Sequence, residues 1–264
     1  MKWAGGKRWL ASGFARLLPS RYETYFEPFL GGAAIFLHLR PTTAILSDAN
    51  QNLINLYSAL REDWEKVHAA LRRHAHNHSD AYYYEERARK RRALHERAAQ
   101  FLYLNRTCWN GLYRVNLRGE FNVPRGTKNA VLLDTDDFEG LATAFGKAKL
   151  RHSDFEPILD LAKAGDFVFV DPPYVTRHNF NGFAKYNESI FSWEDQIRLR
   201  NAVGRAKNRG AKVLVTNAAH SSIIEIYENL GTLVKLRRQS VIAASSNYRG
   251  TTTEVAITIN YKPR

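Results

Sequence analysis

Phe167-Val168-Phe169-Val170-Asp171-Pro172-Pro173-Tyr174 is the stretch on which the fold turns. Four consecutive apolar residues, two of them β-branched, read as a strand buried on both faces, as in a parallel sheet covered by helices. The polar turn behind it then stands at the carboxyl edge of that sheet, where open α/β sheets hold their ligands. Outward from this point the same short apolar runs recur. Upstream lie Tyr25-Phe26-Glu27-Pro28-Phe29 and Thr43-Ala44-Ile45-Leu46-Ser47-Asp48, and nearer lies Lys149-Leu150-Arg151-His152-Ser153-Asp154. Downstream lie Lys212-Val213-Leu214-Val215-Thr216, Thr232 to Leu236 and Glu254 to Ile259. Helical stretches separate most of them, which predicts an α/β fold. Ser245, Ser246, Asn247 and Gly250 between the last two strands permit an antiparallel return.

The middle of the chain reads differently. Residues 61–130 hold 15 Lys and Arg against 8 Asp and Glu, whereas the other 194 residues hold 24 against 18. The apolar pattern over 56–134 is helical, so this segment is expected to be an inserted, mostly helical subdomain, with 1–55 and 135–264 forming the main domain. It ends in a polar stretch, Asn105 to Asn129, with three glycines and a proline, which reads as a loop and hairpin. The whole chain of 264 residues carries a formal charge of +13, which favours a polyanionic partner, most simply nucleic acid. A basic surface kept for solubility is the alternative.

Composition excludes several classes. At 12% aromatic and 44% hydrophobic the chain is no disordered tract. Cys108 stands alone, which rules out an internal disulfide framework and a multi-Cys zinc site; it reads as a small buried side chain. His74-Ala75-His76-Asn77-His78 reads as a solvated helix end rather than a metal site, and no metal is expected. Arg87 to Arg97 reads as a solvated helix face. No apolar run approaches the roughly 20 residues that span a bilayer. The N-terminus has no apolar stretch behind its charge, so a cytoplasmic protein is expected, with no membrane partner.

Two turns carry chemistry. Phe26-Glu27-Pro28-Phe29-Leu30-Gly31-Gly32 lies between a strand and a helix, and glycine there lets the backbone approach a ligand; a helix N-terminus packed on the sheet is the alternative for the Gly pair by itself. Asp48 ends the next strand, where a carboxylate can accept hydrogen bonds from both ribose hydroxyls. The G-x-G-x-x-G pattern is absent, which favours an adenosyl cofactor without phosphate over a dinucleotide. Asp171-Pro172-Pro173-Tyr174 presents a carboxylate, a carbonyl in a stiffened turn and an aromatic face. Those groups suit a planar base with an exocyclic amine: two acceptors take the amine hydrogens and the ring stacks on Tyr174. A proline-rich turn with a capping Asp and a packed Tyr is the structural alternative.

With these residues in view, the sequence resembles the Dam-type DNA adenine-N6 methyltransferases of the D12 class, alpha group. The likeness runs from residue 2 to about 260. It rests on Trp3-Ala4-Gly5-Gly6-Lys7, Phe26 to Gly32 and Asp171 to Tyr174. It rests also on Leu104-Asn105-Arg106, Asn110-Gly111-Leu112-Tyr113-Arg114 and Gly119-Glu120-Phe121-Asn122-Val123-Pro124, in that family's order. The resemblance implies S-adenosylmethionine as cofactor, duplex DNA as partner and a Rossmann-like sheet of about seven strands. It implies that Trp3, Lys7, Asp48 and Asp171 line the cofactor and target-base pocket. The Phe29 and Gly31 turn would pass beside the methionine moiety, and Asp154 and Phe155 would meet the adenine. Trp109 and Asn110 match positions that open the duplex. Leu112, Arg114 and Pro124 match contacts to the bases of a GATC site, and Arg106 a phosphate contact. Chemistry alone leaves Arg114 as either a two-bond reader of guanine or a phosphate contact. After Pro124 the chain departs from the family: Arg125-Gly126-Thr127-Lys128 stands where relatives often carry Gly-Arg-Tyr-Lys.

The implied reaction moves a methyl group to N6 of an adenine flipped from the duplex, with Asp171 and the Pro172 carbonyl orienting the amine and Tyr174 stacking on the ring. The same patch could serve cytosine N4, an RNA adenine or a glutamine amide; the basic insertion favours duplex DNA. Cys108 follows Thr107 rather than a proline, which disfavours cytosine-C5 chemistry. A non-catalytic DNA-binding protein would show a damaged Asp171 motif or cofactor turn, and both are intact.

Overall fold

The structure is a computed structural model that describes Trp3 and residues 5–116, 118–176, 191–239 and 251–263. Its strands are β1 (Tyr25–Glu27), β2 (Ala44–Asp48), β3 (Ala148–His152), β4 (Phe167–Val170), β5 (Lys212–Ala218), β6 (Thr232–Gln239) and β7 (Thr251–Ile259). They form one seven-stranded sheet in the order β3-β2-β1-β4-β5-β7-β6. β1 runs parallel to β2 and β4, and β4 parallel to β5. β7 is antiparallel to both β5 and β6, which is the expected return. The linker residues Ser245 to Gly250 lie outside the described residues. The α/β fold with a methyltransferase-like mixed sheet and a helical insertion is therefore present. Strand order reverses between β1 and β4, so the turns leaving these two strands open at a topological switch point.

The chain divides into two compact units, one of residues 12–29, 43–47 and 153–264, the other of 1–11, 30–42 and 48–152. In the first, β4 is buried at all four positions, as its uninterrupted apolar run predicts. Val168, Val170, Val213, Val215, Val255 and Ile257 meet Ile158 of α7 (Phe155–Leu159), Leu199 and Val203 of α8 (Trp193–Asn208) and Ile223 of α9 (Ser221–Tyr227). Each such side chain removed from water contributes about 1.5–3 kcal/mol. A capping box between Ser192 and Asp195 starts α8 and sets its apolar face on the sheet.

The second unit is helical. α3 (Gln51–Asn77) packs along α5 (Leu94–Thr107), with the shorter α4 (Asp80–Ala88) between them in sequence. Leu53, Tyr57, Leu60, Val67 and Leu71 recur at helical spacing on the buried face of α3. That helix breaks at Asp63, whose backbone is extended and whose Oδ1 accepts the Lys66 N–H, so an internal cap restarts the second half.

Two expectations are corrected here. The histidine tract is no solvated helix end: His74 is buried, stacks on Tyr103 at 4.9 Å and hydrogen-bonds Tyr82, and His78 hydrogen-bonds Tyr103. Only His76 of the three is exposed. Nor is Arg87 to Arg97 one helix face, because α4 ends at Ala88 and α5 begins at Leu94. The reason is Glu86, which is wholly buried and draws Arg89 and both ends of the Arg91 fork into the break. Among the described residues no group of three or more His, Cys, Asp or Glu could hold a metal, and no helix is long and apolar enough to cross a membrane.

Candidate active site

Asp171 follows the last residue of β4, and the β4–β5 register brings Thr216, one residue past the Val170–Val215 pair, beside it. The Thr216 hydroxyl donates to Asp171 Oδ1 at 2.7 Å. Pro172 is buried and Tyr174 half-buried, so the turn holds Asp171, Pro172 and Tyr174 as one short rigid patch. The Tyr174 hydroxyl donates to Glu254 Oε2 at 2.6 Å, a length typical of a charge-assisted bond. Glu254 belongs to β7, opposite Ala218 of β5, and is fully buried. Burial, then the Asp171 and Glu254 carboxylates, push the Tyr174 phenol well above its ordinary range, which keeps it a neutral donor. A second such pair lies on β1, where the Tyr25 hydroxyl donates to Glu27 Oε2 at 2.8 Å. Burial and Glu27 raise Tyr25, and the Asp171 charge reaches it as well.

Phe29, just past β1, stacks on Phe155 at 5.4 Å, and Phe191 meets Phe29 edge-on. Asp154 caps α7: its Oδ1 accepts the Glu156 N–H, and its Oδ2 accepts from Arg198 of α8 at 2.9 Å. The same guanidinium lies 4.5 Å from the Phe155 ring centroid. Phe29, Asp154 and Phe155 are thus drawn into one cluster with Arg198.

In the helical unit, Asp48 is held by two backbone amides, the Gly31 N–H on Oδ2 at 2.9 Å and the Asn50 N–H on Oδ1 at 2.8 Å. Burial raises its pKa, and these two bonds and His152 act against the rise. Gly31 has φ +45, and a Cβ there would stand 2.9 Å from the Trp3 indole, so both backbone and space require glycine. The Tyr57 hydroxyl donates to the Gly31 carbonyl at 2.7 Å. Trp3, Gly31 and Asp48 are therefore brought together. Lys7 is buried and its Nζ donates to the Gly5 carbonyl.

The segment expected to read the target is a hairpin clamped to the end of α5. Val115 bridges Phe121, and the Asn116 N–H donates to Glu120 O across the turn. At the base, Trp109 N–H donates to Pro124 O, and Gly126 N–H donates to Thr107 O. A Cβ on Gly126 would lie 2.5 Å from the Cys108 carbonyl oxygen, which leaves no room for another residue. Trp109 is 49% exposed, and Asn110 takes a left-handed backbone at φ +54. Leu112 is half-buried. Arg114 and Pro124 are exposed, and Asn122 Oδ1 accepts from Arg114 Nε at 2.9 Å. Tyr113 stacks on Trp3 at 5.6 Å. Arg106 is turned inward: its side chain is 7% exposed, forks onto Asp136 and donates to Val131 O. A phosphate contact by Arg106 requires that this pair open. Arg125, in the departing segment, is held by Asp80 and Asn129.

Motif reading missed Thr216, Glu254, Arg198 and Tyr113 as partners of these residues. Only Thr216-Asn217, polar at the end of an apolar strand, carried a local signal.

Residues 3–242 match the family described as D12 class N6 adenine-specific DNA methyltransferase. The chain is 35% identical over 269 residues to the type II methyltransferase M1.LlaDCHI of Lactococcus lactis subsp. cremoris, covering 98% of this chain and 94% of that protein. It is 32% identical over 240 residues to the type II methyltransferase M.MjaIII of Methanocaldococcus jannaschii, covering 83% of each. It is also 32% identical over 243 residues to the DNA adenine methylase of Escherichia coli K12, covering 90% of this chain and 87% of that protein.

Proposed function

The chain belongs to the D12 class of N6 adenine-specific DNA methyltransferases, and from that premise we propose that it methylates the adenine of GATC in duplex DNA. In this reading Asp171, Pro172 and Tyr174 form the pocket for the flipped base. The observation that carries it is the turn after β4, at the point of strand reversal, with Asp171 held by Thr216 and Tyr174 held by Glu254. A carboxylate oriented in advance costs no reorganisation when charge develops on N6.

S-adenosylmethionine, the family's methyl donor, supplies an electrophilic sulfonium methyl group. The donor set fits such a nucleoside. Asp48 is a carboxylate fixed by amides and suited to ribose hydroxyls, and the Gly31 turn has no room for a Cβ. In this reading Trp3, Lys7, Phe29, Gly31, Asp48 and Asp171 line the site, with Asp154 and Phe155 toward the adenine. The Asp171 carboxylate and the Pro172 carbonyl accept the two N6 hydrogens, which directs the nitrogen lone pair. Tyr174 offers its ring to the base, and stacking offsets a flipping cost of a few kcal/mol.

The segment 56–134 serves as the target-recognition subdomain, and 1–55 with 135–264 as the catalytic domain. Trp109 and Asn110 sit where an exposed indole and a left-handed turn suit entry into a duplex. Leu112, Arg114 and Pro124 face the bases, and Arg106, once released from Asp136, meets phosphate. Asn122 holds Arg114 by Nε, which leaves Nη1 and Nη2 as the edge presented to guanine O6 and N7.

Methylation of a DNA library by wild type and Arg114→Ala, read by modification-sensitive sequencing, tests the site. We expect methyladenine confined to GATC for wild type. The variant should lose preference at one guanine, worth about 1–3 kcal/mol. Another motif in the wild-type reads would overturn GATC, and equal weakening on every sequence would make Arg114 a phosphate contact.

A further inference from the structure

Glu254 is a carboxylate without solvent exposure, set in β7 between β5 and β6. Such a group is expensive to bury and persists where it is bonded. An apolar residue of similar volume would seal the sheet at least as well, so sheet stability gives no reason for it. Its bond to Tyr174, 80 residues away in sequence, does. The ring of Tyr174 is tethered at one end by the Asp171-Pro172-Pro173 turn and at the other by Glu254, which fixes the ring axis; because a phenol O–H lies in the plane of its ring, the bond also turns that plane toward Glu254. The Asp171 charge reaches the Tyr174 phenol, so that carboxylate is the competing acceptor for a hydroxyl released from Glu254. A phenol on Asp171 would compete with the substrate amine.

We propose that Glu254 is a positioning residue for the target base: by accepting the Tyr174 hydroxyl hydrogen at 2.6 Å, it holds in place the ring on which the base stacks and draws the hydroxyl away from Asp171. This rests on the reading of Tyr174 as the base platform.

The test uses Glu254→Met, which keeps volume and removes the acceptor, Glu254→Gln, which keeps a neutral acceptor, Tyr174→Phe, and the Glu254→Met/Tyr174→Phe double variant. The duplex carries the site that wild type methylates, and a second duplex carries 2-aminopurine at the target adenine. Glu254→Met should lower the single-turnover rate about 10- to 100-fold, the scale of a small misplacement near the reacting atoms. Glu254→Gln should fall between it and wild type, and Tyr174→Phe, which has no hydroxyl to compete at Asp171, should lose activity but no more than Glu254→Met. The double variant should lose no more than either single change, because both cut one bond. Bound 2-aminopurine should be brighter in Glu254→Met than in wild type, since a loosened ring quenches less, while affinity for S-adenosylhomocysteine stays unchanged. A wild-type rate and quenching in Glu254→Met, or additive losses in the double variant, would overturn the proposal. Should Glu254→Met fail to fold, Tyr174→Phe decides alone, and a wild-type rate there overturns it. Tyr174→Ala separates the premise: if it keeps both rate and quenching, the platform reading itself is wrong.

Discussion

At Asp171 one carboxylate oxygen is held by the Thr216 hydroxyl, so in the proposed role the side chain would meet the substrate with its orientation already set. Other candidate groups are likewise bonded in advance: Tyr174 to Glu254, Tyr25 to Glu27, Asp48 to two amides. Asp171→Ala removes the acceptor proposed for the amine and leaves Asp48, Gly31 and the Phe29–Phe155 stack in place. Cofactor affinity should be largely kept, while methyl transfer falls by at least about 100-fold, as for loss of a preorganised polar group. Single-turnover rates with labelled cofactor measure this. A near wild-type rate would remove Asp171 from the reaction.

Among the elements, the helical layer of α3, α4 and α5 is held by an aromatic and ionic knot rather than by apolar packing alone. His74 stacks on Tyr103 and bonds Tyr82, and Glu86, Arg91, Arg73 and Glu96 face it from around the site. Burial is the main reason its imidazole titrates at about 4 instead of the ordinary 6.5. The folded protein therefore keeps His74 neutral where the unfolded chain takes up a proton. Stability contributed by this neutral ring is full above the unfolded value and is lost as pH falls toward 4. Between pH 7 and pH 5 the loss should be about 2 kcal/mol from this residue. Denaturant midpoints of wild type and His74→Phe, which keeps a ring against Tyr103, should diverge as the pH is lowered, with wild type losing more. Parallel losses would assign the acid sensitivity elsewhere.

For the whole molecule the charge of +13 sets how DNA is approached, and 61–130 holds more than half of that excess in about a quarter of the length. Several of its arginines are engaged by acidic partners as the fold stands. Arg89 and Arg91 serve Glu86, Arg106 serves Asp136, and Arg125 serves Asp80. The number of phosphate contacts should thus be smaller than the count of basic residues. Affinity for duplex DNA should still fall steeply with salt, with a log–log slope of about −0.9 per phosphate contacted. Fluorescence anisotropy at several salt concentrations reads the slope. Binding unchanged from low to high salt would exclude electrostatic docking.

What the sequence by itself determined is whatever depends on neighbours along the chain. The unbroken Phe167–Val170 run made a central parallel strand, because alternation is lost when both faces are covered. Gly31 and the Asp171 turn were legible for the same local reason, since a turn's conformation is dictated within a few residues. The hairpin after Asn110 and the antiparallel last strand followed from turn residues and strand propensity. What only the tertiary structure decided are the pairings that make those residues useful. Thr216 reaches Asp171 across 45 positions and Glu254 reaches Tyr174 across 80. Asp136 takes Arg106 inward, and Glu86 splits the Arg87–Arg97 stretch into two helices. A charged side chain looks the same in sequence whether it meets water or a buried partner. Its role is settled by the desolvation it suffers and the counter-group the fold supplies, and both are properties of packing.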